Sequence, residues 1–131
     1  MATKDIGYDS VINYENGVKI PFDEVESFKV APKNSVLICA EGGSAGRKFG
    51  RLTEDVCFVN KLFAITPDDR ETSIWLSYWY QSDKFKKEFN SRLTGLIGGV
   101  SKKKFEKIPI PVAPFEEQKQ IVVKLDKAFA A

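Results

Sequence analysis

Leu93-Thr94-Gly95-Leu96-Ile97-Gly98-Gly99-Val100-Ser101-Lys102-Lys103-Lys104-Phe105-Glu106-Lys107-Ile108-Pro109-Ile110-Pro111-Val112-Ala113-Pro114-Phe115-Glu116-Glu117-Gln118 changes character several times within one short stretch. It opens as a glycine-rich connection. Ser101 offers a hydroxyl to cap a basic helical turn over residues 102–107. Residues 108–112 must be extended, because each proline fixes φ and disfavours helix in the residue before it. The alternate prolines also remove ladder donors, which makes the segment an edge strand or a linker. Pro114 suits the first turn of a helix, and the pattern predicts one over residues 115–130. Phe115, Ile121, Val122, Leu125 and Phe129 form its apolar stripe.

Upstream of this stretch, Ile74, Trp75, Tyr78 and Trp79 recur at helical spacing. Ser82 or Asp83 caps a second helix with Phe85 and Phe89 on one face. These aromatics are read as core, because they fall on a single stripe. Further upstream, residues 35–40 read as a buried strand, 41–47 as a flexible loop and 48–52 as a second strand. Strand segments follow over 56–59 and 62–65, after a turn at Thr53-Glu54-Asp55. Residues 1–34 are irregular, with a short strand at 11–14 and a helical turn at 23–28 that directs Phe22, Val25 and Phe28 inward. The expectation is an α+β fold, a bent and mostly antiparallel sheet with flanking helices. Residues 1–113 form the domain, and residues 114–131 begin a long helix.

At 131 residues the chain has room for one core. No apolar run reaches the length of a membrane span, and the polar N-terminus lacks the pattern of a signal peptide, so a cytoplasmic location is expected. Charge is unevenly spread. Residues 1–35 hold six acids against four bases, whereas residues 84–107 hold eight bases against two acids. Such a basic block suits a polyanion, although lysine runs are more often merely solvated.

Catalysis finds no home. With no histidine, a Ser–His or Cys–His pair is unavailable. The two cysteines, Cys39 and Cys57, lie in apolar runs and read as buried thiols, so no metal site and no cofactor are expected. Residues 41–48 look briefly like a phosphate-binding loop. The motif's first glycine falls at Glu41, however, Arg47 replaces its lysine, and Lys48 stands where Ser or Thr is required. No dinucleotide fingerprint and no asparagine-proline-proline-aromatic run of adenine methyltransferases occurs. Asp68-Asp69 and Glu116-Glu117 sit where helices start and read as caps.

Read from Asn90 to Asp126, the order of small-residue loop, Ser-capped basic turn, Ile-Pro-Ile-Pro strand and Pro-Phe-Glu-Glu-Gln helix resembles the end of a target recognition domain. The family is the DNA specificity (S) subunit of type I restriction–modification enzymes. The Gly42-Gly43-Ser44-Ala45-Gly46-Arg47-Lys48 loop, the strand end Cys57-Phe58-Val59-Asn60 and the aromatic helix of residues 75–80 match in the same order. The resemblance implies a non-catalytic subunit that reads one half of a split double-stranded DNA target in the major groove. It implies partners as well: methylation (M) subunits that carry S-adenosylmethionine and, through them, restriction (R) subunits. The chain departs from the pattern in having one recognition domain, a short final helix and a shortened opening segment. It is therefore read as a fragment or as a half-subunit that pairs with itself.

Two rival readings stand beside this one: the specificity portion of a fused restriction–methyltransferase, and a structural or interaction module that no longer reads DNA. Under the first reading, Ser44, Arg47 and Lys48 contact DNA, with Arg47 the candidate for a bidentate guanine contact. Asn60 and Lys61 share that face, Lys102, Lys103 and Lys104 hold phosphates, and Arg92 adds to the basic surface. Phe115, Ile121, Val122, Leu125 and Phe129 pair with a partner helix, of a methylation subunit or of a second copy.

Overall fold

Buried side chains decide where each strand of this chain lies. A computed structural model describes all residues except 16, 18, 60, 96–97, 112–114 and 130–131, and omits the side chains of Phe115 and Phe129. Five short strands, β1 (Lys29–Ala31), β2 (Val36–Cys39), β3 (Phe49–Arg51), β4 (Val56–Phe58) and β5 (Leu62–Ile65), precede four helices. These are α1 (Arg70–Gln81), α2 (Asp83–Asn90), α3 (Lys102–Glu106) and α4 (Phe115–Phe129). All pairings are antiparallel, as expected, but they divide into two sheets. One has the order β3-β2-β5 and the other pairs β1 with β4.

Strand β2 is the centre. Every residue from Val36 to Cys39 is buried, because both faces are covered. Val36 and Ile38 face a cluster with Phe49, Leu76, Tyr80, Phe85 and Phe89. Leu37 and Cys39 face the opposite way, toward Ile6, Ala31, Leu52 and Leu62. This period-two split places the helices on one side of the three-stranded sheet, and the N-terminal segment and the two-stranded sheet on the other. Register is fixed by Ile38↔Phe49 on one edge of β2 and Cys39↔Leu62 on the other. Burial raises the Cys39 thiol to a pKa of about 11, so it stays a neutral apolar filler. Cys57 is only half-buried, which departs from the expectation of two buried thiols.

The helices begin where side chains satisfy their free amides. Asp69 accepts the Thr72 amide at 2.7 Å, Ser82 accepts that of Phe85 at 3.2 Å, and Ser101 accepts that of Lys104 at 3.3 Å. The fully buried stripe of α1 is Ser73, Leu76 and Tyr80; of the set expected from spacing, Trp79 packs against this core, while Ile74, Trp75 and Tyr78 are only half-buried. The second face is spoken for: Tyr78 hydrogen-bonds Asp126 of α4, and the Trp75 indole donates to the Pro111 carbonyl at 3.3 Å. Thr72 donates to Gln118 while Tyr78 reaches Asp126, so α1 and α4 advance in the same direction.

Three local expectations are corrected. Residues 11–14 make one isolated bridge, Ile6↔Ile12, because the Gly7–Ser10 turn folds the chain back for a single pairing. Residues 22–27 do form a helical turn, of 3-10 type, but Phe22 is 95% exposed and Phe28 is 45% exposed. That turn packs along β1, and these two side chains stay on its outer face. Residues 29–31, read as irregular, form β1. Of the proline-alternating segment, Ile108–Pro111 forms no ladder and is the linker alternative; Val112 lies outside the described residues. No helix among the described residues is long and apolar enough to cross a membrane.

Candidate nucleic-acid interface

The hairpin joining β2 to β3 has a buried base and an exposed tip. Ala45 and Gly46 are buried, and a Cβ on Gly46 would stand 2.5 Å from a Phe89 ring carbon. Gly46 also has a φ of +70°, so only glycine both adopts the turn and lets the core aromatic approach. The turn is closed by the Lys48 and Arg47 amides, both donating to the Ser44 carbonyl. Ser44, Arg47 and Lys48 are thereby held at the tip by a base anchored in the aromatic cluster.

The structure brings these three residues together around a fourth, Tyr8, which the sequence reading did not single out. The Tyr8 hydroxyl lies 3.2 Å from Ser44 Oγ. The Arg47 guanidinium carbon lies 5.2 Å from the Tyr8 ring centroid, and Lys48 Nζ lies 5.0 Å from it. Both are cation–π distances. Tyr8 is 61% exposed, so the ring holds the cations at the surface without burying them. Its neighbourhood is created by Ile12, which lies over Gly50 of β3, where a Cβ would meet Ile12 at 2.8 Å. An aromatic within a polar N-terminal stretch was the only signal in the sequence.

A second glycine-rich loop is clipped to the hairpin by backbone bonds. The Gly42 amide donates to the Gly98 carbonyl at 2.7 Å, and the Val100 amide donates to Ala40 at 3.0 Å. Glu41 and Thr94 each bridge Gly99. Between the loops lies an open cleft of about 490 Å³ lined by Glu41, Thr94, Gly98, Gly99, Val100 and Ser101. The Lys61 carbonyl accepts the Ala40 amide at 2.8 Å, one residue before Glu41, and the Lys61 side chain is exposed. Lys102, Lys103 and Lys104 follow directly from Ser101 as the exposed first turn of α3. Three like charges at a helix N-terminus oppose the helix dipole, so helix stability does not account for them.

Not every expected residue joins this face in the same way. Arg92 is half-buried, and its guanidinium is engaged by Glu88 at 2.7 Å, one turn back on α2. That pairing neutralises a cation expected to serve the basic surface. Asn60 lies outside the described residues.

The model of the type I restriction modification DNA specificity domain family matches residues 3–131. The chain belongs to this family. Among solved structures, the HsdS subunit from Thermoanaerobacter tengcongensis is similar at 29% identity and a TM-score of 0.59, over 76% of this chain and 23% of that one. A chain solved for complex assembly and conformational transition of the type I R-M system is similar at 28% identity and a TM-score of 0.61. Here 76% of this chain and 24% of that chain are covered. The specificity domain thus spans about a quarter of the length of these relatives. No curated protein matches it. As a member of this family it is a DNA-specificity component and not a catalytic one.

On the specificity domain, the face expected to pair with another helix is partly in use. Val122 and Gln118 are buried within the chain, on the side of α4 that meets α1. Helical spacing puts Ile121 and Leu125 on one shoulder of that contact, and both are half-buried. Val123, on the other shoulder, is 52% exposed. The side chains of Phe115 and Phe129 lie outside the described residues.

Proposed function

We propose that this domain reads one half of a split DNA target in the major groove and, by way of α4, joins a methylation subunit that recruits the restriction subunit. One observation carries the DNA reading. Backbone hydrogen bonds clip two glycine-rich loops into a single surface, on which Ser44, Arg47 and Lys48 are held around Tyr8 and Lys61 and Lys102–Lys104 stand alongside. An interface of this kind separates labour: lysines hold phosphates and set register, while a positioned guanidinium reaches the acceptors of guanine. Arg92 is paired with Glu88 and is assigned a lesser part in holding phosphate. Family membership favours the location where DNA is handled, the cytoplasm.

Docking is assigned to the shoulder formed by Ile121 and Leu125, with Val122 lending rigidity from beneath. A second copy of the chain is the alternative occupant of that shoulder. The test of DNA reading is fluorescence anisotropy against random duplex at several salt concentrations, followed by selection from a randomised duplex pool. Affinity should fall linearly on a log–log plot as salt rises, and selection should return a short half-site. A binding curve indifferent to salt, with no enriched sequence, would identify a scaffold instead of a reader.

A further inference from the structure

Glu41 is an anomaly on this face. It is an exposed carboxylate at the cleft, whose described lining carries no other charged residue, in the same hairpin that bears Arg47 and Lys48. Among the described residues its carboxylate makes no hydrogen bond and no ion pair. Its backbone, by contrast, is held tightly. Glu41 bridges Gly99, the preceding Ala40 carbonyl accepts the Val100 amide, and the following Gly42 amide donates to Gly98. The stem of Glu41 runs across Gly99, where an added Cβ would stand 3.3 Å from Glu41 Cγ. The fold thus fixes the stem of an unpaired anion at an open cleft.

A carboxylate facing phosphates costs binding energy at every sequence, so its place on a DNA-binding face must be justified by a donor. In the major groove the donor that a carboxylate accepts from is the exocyclic amino group of cytosine, N4. Resting on the DNA reading proposed above, we infer that Glu41 is a specificity-determining residue that accepts a hydrogen bond from cytosine N4 at one position of the half-site. Gly98 and Gly99 add no side chain to the described lining of the cleft, and Gly99 lies against the Glu41 stem.

The assignment is tested by selecting duplexes from a randomised pool with the full chain, with Glu41→Gln, with Glu41→Ala and with Gly99→Ala, each also titrated against random duplex over a range of salt. Glutamine presents a donor beside its acceptor and matches adenine N6 and N7. Glu41→Gln should therefore replace one cytosine by adenine in the selected half-site. Glu41→Ala should lose preference at that position alone, by roughly tenfold or more. Gly99→Ala should weaken the same position by displacing the stem.

An unchanged half-site in all three variants overturns the assignment. So does a uniform tightening of every sequence in Glu41→Ala, which would mark Glu41 as a phosphate repeller. In either case a salt-dependent wild-type chain leaves the DNA reading standing. Loss of salt dependence and of any enriched sequence in the wild type removes both.

Discussion

Arg47 is the residue proposed to make the base contact, and its setting bears on that role. A free arginine loses rotamer entropy when it grips a base, but this one is already restrained by the Tyr8 ring and by a long contact from its guanidinium to the Gly43 carbonyl at 3.4 Å. Arg47→Ala should relax preference at one base position and cost about 1–3 kcal/mol in binding to the selected site. Arg47→Lys should not restore it, because an ammonium lacks the planar fork. Competition binding against a panel of single-base variants reads both. Tyr8 is the complementary case. Tyr8→Phe keeps the ring and should leave binding nearly intact, whereas Tyr8→Leu should weaken it; equal effects of the two would deny the ring its role.

The exposure of Arg47 on the hairpin was legible in the sequence, since a basic residue in a glycine-rich loop belongs at the surface. Tyr8 was not, because its partner Ser44 is 36 residues away and no local pattern links them. Tyr80 lay outside the aromatic stripe expected from spacing, yet it enters the core. It is 1% exposed and its hydroxyl finds no hydrogen-bond partner among the described residues, while burial pushes its pKa well above the usual phenol range. A buried hydroxyl without a partner costs about 1–3 kcal/mol. Tyr80→Phe should therefore hold or raise the melting temperature, and a clear fall would show that the hydroxyl has a partner in solution.

At the scale of elements, the hairpin tip and the α1–α4 contact behave differently. The tip depends on Gly46, where alanine meets both an unfavourable φ and the Phe89 ring. Gly46→Ala should destabilise the domain by about 2 kcal/mol or more, read as a drop in denaturant midpoint at unchanged slope. The α1–α4 contact is polar at its far end. Desolvation and the hydrogen bond to Asp126 raise the Tyr78 pKa to about 12 from its ordinary 10. A phenol whose folded pKa is raised contributes stability that is complete below pH 10 and is lost as pH climbs toward 12. Tyr78→Phe should flatten that part of the alkaline stability profile relative to the wild type, as chemical denaturation at stepped pH would record.

The capped starts of α1, α2 and α3 were readable from Asp69, Ser82 and Ser101, because capping is local chemistry. Which face of α1 enters the core was not. Both of its faces are apolar, and the linker at Pro111 along Trp75 and α4 along Tyr78 distinguish them.

For the whole molecule, the basic residues act as a field. Replacing Lys102, Lys103 and Lys104 with glutamine should weaken all duplex sequences alike and reduce the salt slope by roughly 0.9 per lysine. A change in sequence preference instead would move those lysines from phosphate to base contacts. The N-terminal stretch is acidic and the segment after α1 is basic, and on the proposed DNA reading that asymmetry favours one orientation over its reverse.

The sequence by itself determined the antiparallel α+β class, the strands and helices from residue 35 onward, the capped turns and the family. These rest on spacing, on proline and glycine stereochemistry and on the order of motifs, all of which are local in the chain. Tertiary structure alone decided the split into two sheets, the union of two distant glycine-rich loops, the place of Tyr8 beside Arg47 and Lys48, and the burial of Val122 beneath its own domain. Each of these is a contact between segments far apart in sequence. Such contacts are selected by how the two faces of β2 are covered, and no periodicity within a single segment encodes that.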